Sequence, residues 1–129
     1  MEDDIFISES EMFEDIRPHT VKYDFPVVKF YRNGNSVVAH FNIFAAPMLG
    51  NADYARVMVS THFIVFLPSS NICHSRIRRR VYKNHNRDAY VSVIWLRGMV
   101  PEGARFKCYH YKGGIAIKRD EPFGGTQSD

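Results

Sequence analysis

From Pro26 onward the chain is a succession of short runs rich in valine, isoleucine and aromatic residues, separated by turn signals, which is the pattern of β-strands. Val27-Val28-Lys29-Phe30-Tyr31-Arg32 precedes Asn33-Gly34-Asn35, and Ser36-Val37-Val38-Ala39-His40-Phe41 follows. Asn-Gly between two such runs predicts a tight hairpin, because both residues tolerate positive φ. The span from Ile43 to Leu49 is apolar but holds Pro47, so it predicts one or two helical turns ending there. Gly50-Asn51-Ala52-Asp53 reads as a turn. Ala55 to Ser60 and Phe63 to Leu67 then read as a second strand pair, closed by Pro68-Ser69-Ser70-Asn71.

The second half follows the same plan. Asp88 to Arg97 is strand-like, Pro101-Glu102-Gly103 is a turn, and Ala104 to Tyr111 is a strand. Lys112-Gly113-Gly114 turns the chain into Ile115-Ala116-Ile117-Lys118-Arg119. Set against each other, the halves pair Ala55–Val59 with Ala104–Cys108, Met48-Leu49 with Met99-Val100, and Phe63–Phe66 with Gly114–Ile117. Identity is low and small gaps are needed, but the order of elements recurs, which predicts an internal duplication.

Before Pro26 the pattern differs. Ser8-Glu9-Ser10-Glu11 has the spacing of a capping box, and Met12, Phe13 and Ile16 supply a short apolar stripe, which predicts a short helix ended by Arg17-Pro18. The expected organisation is an acidic N-terminal segment over 1–25, a first β unit over 26–70, a basic linker over 71–88, a second β unit over 89–121 and a disordered tail over 122–129. The fold class is therefore mainly β: two related hairpin-rich units with short helical turns.

Charge sharpens the picture. The 129 residues hold 17 Lys and Arg against 14 Asp and Glu, a net +3. Seven of the acidic groups (Glu2, Asp3, Asp4, Glu9, Glu11, Glu14, Asp15) lie in residues 1–15, where there is no Lys or Arg. The other seven face all 17 basic groups, so residues 16–129 carry +10. A body this basic favours polyanions such as nucleic acid, and the acidic segment could lie over it and compete. Apolar residues at 45% and charged residues at 24% are those of an ordinary globular protein, and the length fits one domain or two very small ones. No apolar run is long enough to span a bilayer, and the acidic start is unlike a signal peptide, so an intracellular protein is expected. Two cysteines are too few for a disulfide framework and suit a reducing compartment.

The first half resembles the AbrB/SpoVT/MazE family of swapped-hairpin domains, whose order is strand, short helix, turn, strand, hairpin, strand. Ser36-Val37-Val38-Ala39 looks like the first run, Ile43 to Leu49 like the helix, Asn51-Ala52-Asp53 like the turn and Ala55 to Leu67 like the closing hairpin. Pro101-Glu102-Gly103-Ala104-Arg105-Phe106 looks like a second copy of the turn and strand, so the layout is similar to that of MraZ-type tandem regulators. His40 stands in place of the family's proline, Ala52 in place of its turn glycine, and the second copy has almost no room for the helix. The resemblance implies a swapped-hairpin or small-barrel fold, intertwined dimers, and DNA binding through basic residues near the first hairpin.

Candidate chemistry concentrates in Arg76 to Arg87, where six of twelve residues are Lys or Arg and none is acidic. As a helix, this segment would place Arg76, Arg80, Lys83 and Arg87 on one face; as a strand, it would group Arg76, Arg78, Arg80 and Tyr82. Guanidinium groups give phosphate planar, bidentate, charge-assisted bonds. Arg79 completes the run, and Tyr82 and His85 could add base or sugar contacts. The alternative is a solvated edge whose charge discourages strand aggregation. Arg32, Asn33 and Asn35 at the first hairpin tip form a second candidate phosphate or groove contact, set against Asn-Gly there serving only to turn the chain. Cys73-His74, His85 and Cys108-x-His110 lack the spacing that brings two ligands to one face, so no metal or cofactor is expected. Carboxylates beyond the N-terminal stretch are scattered singly and no Gly-rich phosphate loop precedes a helix, so an enzyme is not expected. Taken together, the residues suggest a DNA-binding regulatory protein with no membrane partner, and a homodimer is the assembly the resemblance implies. The alternative is a protein-interaction module, such as a phage or mobile-element accessory protein, that meets an acidic partner.

Overall fold

The computed structural model of the protein describes residues 5–12, 23–81 and 87–123. The described residues form nine strands: β1 (Val27–Asn33), β2 (Ser36–Phe41), β3 (Tyr54–Val59), β4 (Phe63–Ser69), β5 (Ser75–Val81), β6 (Arg87–Ser92), β7 (Arg105–Lys107), β8 (Tyr109–Tyr111) and β9 (Gly114–Lys118). They hydrogen-bond in the order β7-β1-β2-β6-β5-β3-β4-β9-β8, with every pairing antiparallel. β7 and β8 stand at the two ends of that order but are separated in the chain only by Cys108. This bent segment therefore carries one sheet edge round to the other, and the sheet nearly closes into a barrel, which removes the exposed edges that an open sheet must protect.

Strand alternation fills the barrel. Val37, Ala39 and Phe41 of β2 point inward and are buried, as are Val28 and Phe30, Ile64 and Phe66, Ala89 and Val91, and Ile115 and Ile117. The centre is aromatic: Phe30 meets Phe106 edge-on with centroids 5.7 Å apart, and Phe41 meets Phe66 likewise at 4.9 Å. The hairpin between β1 and β2 forms, but its loop is Gly34-Asn35 rather than Asn33-Gly34: Asn33 ends β1 opposite Ser36, and Gly34 alone takes positive φ, at 65°.

Among the described residues there is no α-helix. The apolar span before Gly50 forms a 3-10 turn over Ala46–Leu49 with Pro47 in its first turn. Its entrance is tied by Asn42, whose Oδ1 accepts from the backbone N–H of Val27, Phe44 and Ala45. With Phe44 and Ala45 bonded locally to this side chain and Val27 bonded to it from β1, the chain closes a tight corner rather than a helix. The expected N-terminal helix is absent from residues 5–12: Ser8 accepts from Ser10 and Glu11 in a single turn, and the rest of that expectation lies outside the described residues. The strand-like run from Asp88 to Arg97 stops at Ser92 and continues as a second 3-10 turn over Ile94–Leu96, so the second half does hold a short helical turn. Phe123 packs on Tyr23 and Phe25 at 5.3 and 5.7 Å and bonds to Arg105, so the expected tail is anchored at its first residues; residues 124–129 lie outside the described ones.

Within the span 71–88 the described residues are 71–81 and 87–88. They supply β5 and the start of β6, in the middle of the strand order. Charge hid this strand: its inward phase holds Ser75, Ile77, Arg79 and Val81, of which only Ile77 enters the core, Val81 being exposed at the strand's end.

The pairings of the two halves correspond. Phe30↔Ala39 in β1–β2 has its counterpart in Ile77↔Val91 of β5–β6. Lys29↔Arg105 and Val28↔Phe106 in β1–β7 match Arg76↔Tyr54 and Ser75↔Ala55 in β5–β3. Met58↔Val65 in β3–β4 matches Tyr109↔Ala116 in β8–β9. Under the same correspondence, Ala39↔Val91 and Val65↔Ala116 map onto themselves, so an approximate two-fold relation runs through these two pairs. Counterparts share burial, for example Phe30 with Ile77, Ala55 with Phe106 and Ile64 with Ile115. The register keeps the expected match of Phe63–Phe66 with Gly114–Ile117 but shifts Ala55 two residues, from Ala104 to Phe106.

Candidate nucleic-acid interface

β5 sorts the basic run by strand parity. Arg76, Arg78 and Arg80 point outward and reach solvent, while Ile77 and Arg79 take the inward phase. Arg79 lies at the barrel end, where its Nη2 donates to the carbonyl oxygens of Gly50 at 3.0 Å and Ala52 at 2.8 Å. It ties the turn before β3 to β5.

The outer face around β5 is built from four further strands. A single cross-strand row runs Arg105, Lys29, His40, Tyr90, Arg78, from β7 to β5. Arg76 lies two residues along β5 and pairs with Tyr54. Directly opposite side chains in such rows sit about 5 Å apart, close enough for a continuous surface.

One carboxylate lies within this face. Asp88 is 2% exposed and is the buried charged side chain among the described residues. Arg80 grips it with Nη2 at 2.9 Å from Oδ2 and Nε at 3.3 Å from Oδ1. His40 Nε2 stands 2.6 Å from Oδ2, the geometry of a ring N–H donating to the carboxylate. The His40 ring stacks on Tyr90 with centroids 4.7 Å apart, and the Arg80 guanidinium lies over the same ring at 4.9 Å. Burial pushes the Tyr31 phenol above its usual value, with Arg80 opposing the shift and Asp88 adding to it. The acid is thus enclosed by its partners, which leaves Lys29, Arg76, Arg78 and Arg105 to set the sign of the field.

The other candidates fall elsewhere. Arg32 and Asn35 lie at the β1–β2 tip, where Asn33 pairs with Ser36. That tip adjoins Val93, whose N–H bonds to Val37, whereas Arg80 and Arg87 stand where β6 meets the far end of β2. The two hairpin ends are separated by the length of β2, roughly 17 Å at about 3.3 Å per residue, so the structure does not bring them together. Lys83, Tyr82 and His85 lie outside the described residues. Lys112, Lys118 and Arg119 belong to a different face, and Arg119 Nη1 donates to Ser60 O at 2.7 Å.

Sequence reasoning missed Lys29, His40, Asp88, Tyr90 and Arg105 as members of the face. Outward alternation in each strand could have nominated Lys29 and His40, but nothing local joins residues such as His40 and Asp88, 48 positions apart. No group of three His, Cys, Asp or Glu positioned for a metal occurs among the described residues. His62 pairs with Asp120 at 3.0 Å and His74 with Ser69 at 2.6 Å. No protein-family model matches the chain, and comparison with curated proteins and with solved structures gives no match.

Proposed function

We propose that the protein is a non-enzymatic, intracellular DNA-binding regulator that lays the outer face of β7-β1-β2-β6-β5 against a phosphate backbone. The observation that carries this reading is the row Arg105–Lys29–His40–Tyr90–Arg78, flanked by Arg76, on a face whose one buried carboxylate is already held by Arg80 and His40. Guanidinium and ammonium groups on strands present donors at nearly fixed spacing, and release of counterions from the DNA supplies affinity. Arg32, Asn33 and Asn35 at one end and Arg87 at the other would meet phosphates or groove edges beyond the face.

The likeness to swapped-hairpin domains is supported by the order strand, 3-10 turn, turn, strand, hairpin, strand, which occurs twice, and by the interleaving of the two sets of strands. On this reading the chain is a duplicated unit whose two copies share one barrel. The test is anisotropy of labelled random duplex DNA with the full chain and with an Arg76→Ser/Arg78→Ser variant. The reading expects the variant to bind about tenfold or more weakly at low salt; equal binding by both proteins would refute it.

A further inference from the structure

A second outer face lies at the other end of the approximate two-fold relation, about Val65↔Ala116. Its central row is Met58, Val65, Ala116, Tyr109, with no polar side chain except one phenol. Phe63 and Tyr111 flank it, and Phe63, Tyr109 and Tyr111 are each more than 40% exposed. The rim is cationic: Lys118 Nζ lies 5.2 Å above the Tyr109 ring and Lys112 Nζ 5.4 Å from Tyr111. Arg56 pairs with Leu67, and a shallow depression lined by Lys107, Lys118, Glu121 and Phe123 opens next to Tyr109, with Glu121 Oε1 3.9 Å from Lys118 Nζ. An apolar stripe whose rim holds Arg56, Lys107, Lys112 and Lys118 against the carboxylate of Glu121 is suited to a peptide that is both apolar and acidic.

The chain carries such a peptide. Residues 1–15 hold seven carboxylates and no Lys or Arg. Ile5, Phe6 and Met12 are each more than 80% exposed, and Ile7 is 52% exposed. These side chains are not covered by their own barrel, and in water their exposure is unfavourable by about 25 cal/mol per Å². We propose that the N-terminal segment of one copy docks on the β3-β4-β9-β8 face of a second copy, its isoleucines and phenylalanine over Phe63, Val65 and Tyr109 and its carboxylates on the lysine rim. The apolar content of the segment directs it to this face rather than to the basic face around β5. Such a contact is head-to-tail, so it either closes a ring or propagates. It is independent of the DNA-binding reading, because it uses neither Arg76, Arg78 nor Lys29.

The test uses full-length chains and a labelled synthetic peptide of residues 1–15. Sedimentation velocity of the unmodified chain should show mass rising with concentration and falling with added salt. An Ile5→Asp/Phe6→Asp variant and a Phe63→Glu/Tyr111→Glu variant should each stay monomeric. An equimolar mixture of the two should associate, because one supplies an intact face and the other an intact segment. The peptide should bind the unmodified chain and bind the face variant about tenfold or more weakly. Failure of the peptide to bind would overturn the proposal. So would a chain that binds peptide yet remains monomeric at every concentration, which would mean docking within one molecule, and so would self-association that survives both variants.

Discussion

Arg78 and Arg79 are neighbours in the chain with opposite positions: Arg78 projects from the outer face opposite Tyr90, while Arg79 turns to the barrel end and holds the carbonyls of Gly50 and Ala52. Strand parity alone separates them. Arg78→Ala is expected to weaken DNA binding while leaving the unfolding midpoint nearly unchanged. Arg79→Ala is expected to cost about 1–2 kcal/mol of stability, since a charged donor to two carbonyls is removed, with a smaller effect on binding. Urea unfolding and DNA titration of the two variants separate these outcomes.

Asp88 is the electrostatic keystone of the basic face. Asp88→Asn keeps the shape but removes the charge that Arg80 and His40 share. Both partners reach solvent, with side-chain exposures of 56% and 29%, so they can be rehydrated and the loss is bounded. The expected destabilisation is about 2 kcal/mol, read as a lowered urea midpoint at unchanged slope.

Gly114 is required by contact rather than by backbone angle. A Cβ there would run into the Phe66 carbonyl oxygen and lie 2.9 Å from Pro68 Cδ, at the β4–β9 seam. Gly114→Ala is expected to destabilise by about 3 kcal/mol. Gly113→Ala, at φ 79° in open space, should cost about 1–2 kcal/mol. Thermal melts of the two variants should rank them in that order.

The cysteines predict both reactivity and alkaline behaviour. Cys73 is exposed and Cys108 buried, so a thiol reagent should modify Cys73 in the native protein and both after unfolding. Burial raises the Cys108 thiol above its ordinary 9.0. Below that pH both folded and unfolded thiols are protonated and stability is unaffected. As pH rises past 9.0 the unfolded chain ionises and the folded one does not, so stability falls, by up to about 1.4 kcal/mol per pH unit for one group. Tyr31, raised from 10.0 by burial, adds in the same direction at higher pH. Chemical denaturation between about pH 8 and 11 should show the decline, and Cys108→Ala should delay its onset.

Local chemistry was the legible part of this fold. Gly34 and Lys112-Gly113 mark their hairpins through the positive φ they take, although the first loop is Gly34-Asn35 and not the Asn33-Gly34 pair, and the apolar phase of β2 is plain in Val37, Ala39 and Phe41. β5 was harder to read because arginine occupies both of its faces and Ile77 alone reaches the core. The pairings β2–β6 and β4–β9 join strands far apart in the chain, and no neighbouring residues announce them. The same non-locality hid half of the candidate face: Arg76, Arg78 and Arg80 stand out as a run, whereas Lys29, His40 and Arg105 join them only when β7, β1 and β2 are laid beside β6.

The most direct test of DNA binding by the β5 face is the salt dependence of duplex affinity, with the unmodified chain compared to Arg76→Ser/Arg78→Ser. Binding through this face predicts a linear fall of log affinity with log salt. It also predicts a slope shallower by about two in the variant, at about 0.9 for each phosphate that is no longer neutralised. Identical slopes, or no binding by the unmodified chain at low salt, would contradict it.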